Sequence, residues 1–491
     1  MFETAEIGHK LAKSQYRREE PRLRERLLKL QYRLLENAGF PVVILVNGVD
    51  GAGKGDTVNL LNEWMDPRHI RTRAFGPPGD DARERPEMWR YWKALPPKGR
   101  IAILFGSWYS DPIFERVAGH RKRARLERRL ERIRHFERML VAEGTLLIKL
   151  WFHLSEKAQA KRLKELRAHQ ETAWRVGPGE WKHHKHYAGY IAACEEALRE
   201  TATAEAPWDI VDSSDAAYRA LTTGRLIADR LAARLAGKHP KMSPPPPPPA
   251  TPIDGKTLLA ALDYSHRLGR DEYKRKLEKL QAEIALLTRS KAMRNRSLVL
   301  AFEGMDAAGK GSTIRRITAA LDARHYRVVP IAAPTDEERA QPYLWRFWRH
   351  VPGHGEVAIF DRSWYGRVLV ERVEGYASEF DWMRAYPEIN DFEEQLAQAG
   401  AIVAKFWLAI TRAEQLRRFH AREEVSYKRY KIGPDDWRNR RKWPAYERAV
   451  ADMVERTSTR SAPWHIVASD DKHYARIAVL EMLRDRLEKA L

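Results

Sequence analysis

At 491 residues the chain is too long for one ordinary hydrophobic core and is read as two domains. Its net charge of +21 implies a polyanionic partner or substrate, with nucleic acid, anionic membrane and inorganic or nucleotide phosphate all open. The single cysteine, Cys194, excludes an intrachain disulfide and a cysteine metal centre; the start MFETAEIGHKLAKSQYRREE has no apolar leader and no stretch is long and apolar enough to span, so a reduced, cytoplasmic, non-membrane protein is expected.

Residues from Arg17 to Asn37 place Leu23, Leu27, Leu30 and Leu34 near helical spacing among Arg and Glu, which predicts an amphipathic helix. Val42–Val46 reads as a buried strand ending at a glycine turn, Gly48 to Lys54, followed by helix from Val58 to Met65 and a Trp-rich segment from Met88 to Leu95. Further strands are expected at Ile101–Phe105, Thr145–Phe152 and Pro207–Val211. Helices are expected from Arg121 to Glu143, from Ser155, and at the close of this half. Strands alternating with helices imply a parallel sheet with crossovers.

The stretch KMSPPPPPPATP follows, and six consecutive prolines form an extended spacer of about 3.1 Å per residue, roughly 19 Å. Beyond it the first half repeats at a constant shift of 256 positions (304 − 48 = 256): Lys310 matches Lys54, Trp348 matches Trp92, Ser363 matches Ser107, Lys405 matches Lys149, Trp464 matches Trp208. The chain is therefore read as a tandem duplication of one α/β domain, with boundaries at residues 1–240, a linker at 241–255, and residues 256–491.

The chemistry concentrates at LVLAFEGMDAAGKGST, Leu298 to Thr313. Gly304, Gly309 and Lys310 satisfy GxxxxGK after a strand, a pattern in which loop amides and a lysine converge on phosphate at a helix N-terminus. Chance would supply this pattern on the order of 0.1 times in a chain this long; here it occurs twice. The usual hydroxyl after the lysine is displaced by Gly311 to Ser312. Strand Glu356–Phe360 then ends in Asp361 and Arg362, where a P-loop domain holds Mg²⁺ and reaches the transferring phosphoryl group. The first copy has Phe105 and Gly106 there, and Asp56, Ser110, Asp111 and Ala216 where the second has Ser312, Gly366, Arg367 and Lys472. Its Asp50 and Lys54 remain, so it is read as a degenerate copy. The expected roles are Asp306 and Asp361 on metal, and Lys310 with loop residues Gly304, Ala308, Gly309, Gly311 and Ser312 on phosphate. Arg362 neutralises developing charge, Arg367 and Glu371 lie on the nucleotide or phosphate side, and a basic lid comprises Arg417, Arg418, Arg422, Lys428, Arg429 and Lys431.

GMDAAGKGS at Gly304–Ser312, FDRSWYGRVLVERV at Phe360–Val373 and TSTRSAPWHIVASDDKHYAR at Thr457–Arg476 together resemble the second family of polyphosphate kinases, and the two-copy form resembles its fused polyphosphate:AMP phosphotransferases. The resemblance implies two tandem P-loop kinase domains of thymidylate-kinase-like α/β fold, each a parallel sheet flanked by helices with a helical lid. It also implies Mg²⁺- or Mn²⁺-dependent transfer of a terminal phosphoryl group from inorganic polyphosphate to a nucleotide, with AMP as acceptor and ADP as product. The family's loop Asp, loop Lys, strand-end Asp and strand-end Arg carry over to Asp306, Lys310, Asp361 and Arg362. A polyphosphate:ADP kinase, an ATP-dependent nucleotide kinase and a non-catalytic polyanion or nucleic-acid binder are the alternatives. The expected partners are polyphosphate and AMP or ADP, without nucleic acid or membrane, and a homo-oligomer is compatible with the sequence.

Two features belong to the first copy alone. Arg121, Arg125, Arg128 and Arg132 recur along one helix face, which is read as a solvated face with a polyphosphate guide as the sharper alternative. His183, His184 and His186 match Asn439, Arg440 and Lys442, so they are read as a mixed polar segment rather than a metal cluster.

Overall fold

The structure is a computed structural model that describes residues 1–117, 123–237 and 259–491, except for the side chains of residues 123, 428 and 431. The expected linker, residues 241–255, and Arg121 lie outside the described residues. The chain divides into two compact units. One comprises Met1–Pro78, Arg90–Met242 and Thr335–Trp345, and the other Gly79–Trp89, Ser243–Pro334 and Arg346–Leu491. The division is therefore not a single cut.

The N-terminal unit is built on strands β1 (Val42–Gly48), β2 (Ile70–Ala74), β3 (Ile101–Phe105), β4 (Leu146–His153) and β5 (Trp208–Asp212). They pair in the order β2-β3-β1-β4-β5, every pair parallel. The C-terminal unit repeats this with β6 (Ser297–Gly304), β7 (Tyr326–Pro330), β8 (Val357–Asp361), β9 (Ala401–Ala409) and β10 (Trp464–Ala468), in the order β10-β9-β6-β8-β7 and again all parallel. β1 is buried along its whole length and β6 up to its last residue, as continuous apolar runs in the centre of a helix-covered sheet require. Helix Lys13–Asn37 packs on Ala216–Leu235, and Arg270–Thr288 packs on Lys472–Ala490. The expected helix at Val58 starts earlier, at Lys54, because it grows directly out of the glycine turn.

The edge strands β2 and β7 were not anticipated. Their side chains are mostly exposed, and IRTRA and YRVVP present no buried alternation.

Each unit carries the same buried polar knot. Lys405 Nζ donates to Glu393 Oε2, the Thr457 carbonyl and the Tyr365 hydroxyl at 2.7 Å each, while Tyr365 and the Trp364 indole donate to Glu393 Oε1 at 2.6 and 2.9 Å. Lys149, Glu137, Thr201, Tyr109 and Trp108 repeat the set in the N-terminal unit. A buried ion pair persists when its remaining donors find acceptors, and in the two knots Lys405 meets three of them where Lys149 meets two. They pin the strand-end segment to the helix behind it.

Candidate active site

Parallel pairing puts the C-terminal ends of β6 and β8 side by side, with Phe302 opposite Asp361. The loop leaving β6 therefore faces the end of β8, the position where open α/β sheets bind ligands. Gly304 has φ 153°, and a Cβ on it would lie 2.6 Å from the Leu408 carbonyl, so the chain turns there only as glycine. Gly309 caps the helix Lys310–Thr318 with φ 115°. The hydroxyls of Ser312 and Thr313 both turn back to the Gly309 carbonyl, at 2.8 and 3.2 Å.

Lys310 folds over the loop and donates to the carbonyls of Gly304 at 2.7 Å and Met305 at 3.4 Å. Burial and the neighbouring Arg362 hold its ammonium below the usual lysine range, against the pull of Asp306, Glu303 and Asp361. Arg362 lies across the loop, its NH2 3.0 Å from Asp306 Oδ1, and Asn439 Nδ2 donates to Asp306 Oδ2 at 2.8 Å. Burial pulls the Arg362 guanidinium down, but Asp306, Glu303 and Asp361 outweigh it and the pKa goes up. Arg362 and Ala307 are both non-glycine residues in the left-handed region, at φ 65° and 63°. Such strain costs on the order of 1–3 kcal/mol per residue and gathers at functional sites.

The structure thus brings together Gly304, Asp306, Ala308, Gly309, Lys310, Gly311, Ser312, Asp361 and Arg362. Asp361 stands half-buried with its Oδ2 3.7 Å from where a Cβ on Gly311 would be. Arg367 and Glu371 pair with each other at 2.9 Å on the segment that leaves β8. Of the expected lid, Arg422 lies half-buried on the helix Arg412–Glu423, and Lys428 and Lys431 sit in the 3₁₀ segment Ser426–Lys431 with their side chains outside the described set.

Arg418 is a correction to the lid. It is buried, and its guanidinium donates to the carbonyls of Ala307 (2.9 Å), Ala308 (3.2 Å), Ser469 (2.5 Å) and Asp470 (2.9 Å), with Glu414 as its carboxylate. A guanidinium that meets four carbonyls from behind the loop braces the cradle; it cannot also close over its mouth.

Three contributors went unread in the sequence. Glu303, one residue before Gly304, is buried and accepts from the Ser363 amide and hydroxyl, both at 2.8 Å; burial raises its carboxyl above the usual range. Gln415 donates to the Asp306 carbonyl at 3.0 Å. Asn439 holds the Asp306 carboxylate. Glu303 differs between the copies (Asn47 in the first), so a copy-against-copy comparison carried the signal.

A divalent cation fits this set in one way. Among the described residues no three His, Cys, Asp or Glu side chains gather as a self-sufficient metal site. Magnesium in phosphoryl-transfer sites takes one or two carboxylates and completes its shell with substrate phosphates and water. The Asp361 carboxylate has no hydrogen-bond or ion-pair partner among the described residues, and Asp306 keeps second lone pairs beside Arg362 and Asn439. Among the described residues no helix is long and apolar enough to cross a membrane.

In the N-terminal unit the same positions read differently. Lys54 donates to the Gly48 carbonyl, and His183 Nδ1 lies 2.8 Å from Asp50 Oδ2. That bond holds the His183 pKa above its usual value; despite burial, His183 and Lys54 hold Asp50 below the carboxylate range. Arg219, from another helix, takes over bracing of the loop: its guanidinium lies against Gly53 and reaches the Ser213 carbonyl, the counterpart of Ser469. Arg162, at the Arg418 position, is partly exposed and pairs with Glu165.

The family model for polyphosphate kinase 2 matches residues 10–238 and again 267–491. A polyphosphate:AMP phosphotransferase of Pseudomonas aeruginosa is 52% identical over 491 residues, covering 100% of this chain and 99% of that protein. One from Acinetobacter johnsonii is 38% identical, covering 94% and 95%. A crystal structure of a polyphosphate kinase 2 from Pseudomonas aeruginosa superimposes with a TM-score of 0.91 at 51% identity, over 100% of this chain and 99% of that one.

Proposed function

The chain belongs to the polyphosphate kinase 2 family, and from that membership we infer that it transfers the terminal phosphoryl group of inorganic polyphosphate to AMP, giving ADP and a polyphosphate one unit shorter. Full-length relatives with both copies support AMP as acceptor. The observation that carries the assignment of the chemistry to the C-terminal unit is the strand end Asp361–Arg362 set beside the loop Gly304–Lys310.

Two anions must be brought together, so the reaction needs positioning and charge neutralisation more than bond-making groups. The loop amides and Lys310 grip phosphoryl oxygens. Arg362, held over the loop by Asp306, places its guanidinium where charge accumulates in transfer. Arg418 and Gln415 keep the loop carbonyls turned away from the ligand, and Asn439 fixes Asp306. The acceptor phosphate, with a second pKa of about 6, is already anionic at neutral pH, so no side chain has to act as general base. Asp361 and Asp306 would hold Mg²⁺ or Mn²⁺, which supplies positive charge against the phosphate oxygens.

AMP incubated with Mg²⁺ and either polyphosphate or ATP as sole donor tests this reading. ADP formed from polyphosphate is expected; ADP formed with ATP alone would overturn it.

A further inference from the structure

The N-terminal unit keeps a cavity of about 320 Å³ over its own loop, in the range of small-molecule sites. Lys54 and Gly48 lie at one end and Phe75, Phe105, Phe114 and Trp151 along the walls. Two buried donors that line it have no partner: Asn47 Nδ2 and Trp151 Nε1, on side chains 7% and 1% exposed. A buried donor without an acceptor is costly, and here both belong to residues that line the cavity.

The substitutions between the copies change the kind of ligand this space suits. Asp361 becomes Phe105, so one of the two carboxylates a magnesium ion would use is gone, and the counterpart of the other, Asp50, is held by His183 and Lys54; Glu303 becomes Asn47. Arg362 and Arg367 become Gly106 and Asp111, and Asp111 is itself paired to Arg90 at 2.6 Å. One lysine and a loop of amides remain, enough for one phosphate group and too few cations for a long polyanion. The surfaces gained are aromatic: Phe105 replaces Asp361, Phe75 replaces Ile331 and Phe114 replaces Val370, with Phe114 stacked on His183 at 5.1 Å. A single phosphate joined to a flat, apolar group with acceptor atoms matches this lining.

We propose that this cavity is a second, non-reacting site that takes a nucleoside monophosphate without a metal ion, its phosphate on the Gly48–Lys54 loop and its base among Phe75, Phe105 and Phe114. Asn47 and Trp151 supply donors to the ligand's acceptors. The site does not depend on which donor the C-terminal unit uses.

Calorimetric titration of the full-length protein in EDTA tests it, with AMP, inorganic phosphate and tripolyphosphate as separate ligands. An AMP-binding event that Lys54→Met and Asn47→Asp each weaken by about 10-fold or more is expected, and at that Lys54-dependent site AMP binds tighter than either inorganic ligand. Asn47→Asp is nearly isosteric and keeps the test alive if Lys54→Met lowers the melting temperature. No saturable AMP binding in EDTA, AMP binding unchanged by Asn47→Asp, or tripolyphosphate binding tighter than AMP at the site that Lys54→Met weakens would each overturn the proposal.

Discussion

The two units share a fold, a glycine turn and a buried Lys–Glu–Tyr–Trp knot, and they differ where strain and unpaired charge are kept. The C-terminal unit holds Ala307 and Arg362 in left-handed backbone; the N-terminal unit has glycine at both positions, Gly51 and Gly106, at φ 79° and 71°. The C-terminal unit leaves the Asp361 carboxylate without a hydrogen-bond partner among the described residues, where the N-terminal unit has Phe105. Asp306 pairs with Arg362 and takes a neutral Asn439 on its other oxygen; Asp50 pairs with Lys54 and takes His183 there. On the proposed assignment of transfer to the C-terminal unit, relaxed backbone and quenched charge fit a loop that does not have to stabilise a transition state. The knots keep the same five residue types in both units.

The largest contrast is expected at the end of the strand beside the loop. Asp361→Asn should lower AMP-to-ADP turnover on the order of 10³-fold with little change in melting temperature, whereas Phe105→Asn, its match, should leave turnover within about twofold. Steady-state kinetics on both variants reads the difference. Next comes the brace. Arg418→Met leaves four loop and strand-end carbonyls without their donor, although Glu414 keeps Arg417, and should cost about 3–5 kcal/mol of stability, while Arg162→Met should stay within about 0.5 kcal/mol. Urea melts of the two variants check this. In the N-terminal unit Arg219→Met, not Arg162→Met, should carry the loss.

The smallest effect is pH-dependent. The folded pKa of His183 lies above its unfolded value because Asp50 accepts its hydrogen bond. Its contribution is therefore fully present below about pH 6.5 and is lost as pH rises through the folded pKa. His183→Asn, the other unit's residue, should remove that slope. Melting temperatures between pH 5 and 9 would show it as a flattened profile, with the difference from wild type confined to the acid side.

Most of the central sheet was legible because buried parallel strands are unbroken apolar runs, and the 256-position repeat allowed each copy to be read against the other. Edge strands β2 and β7 escaped, since exposed, charged sequences such as IRTRA carry neither alternation nor an apolar run. Within the site, most residues beside the loop and strand end were readable, Glu303 being missed there, and those that reach it from elsewhere were not. Arg418 lies in a basic segment that looks like a lid, and only its four carbonyl acceptors reveal that it faces inward. Asn439, 133 residues from Asp306, has no local signature at all.

The central claim is that phosphoryl transfer belongs to the C-terminal loop alone. Matched substitutions of the loop aspartates, Asp306→Asn and Asp50→Asn, assayed for ADP formation from AMP with polyphosphate as sole donor, test it most directly. The account predicts a loss of about 10²–10³-fold for Asp306→Asn and less than about twofold for Asp50→Asn. Equal losses, or a larger loss for Asp50→Asn, would contradict it.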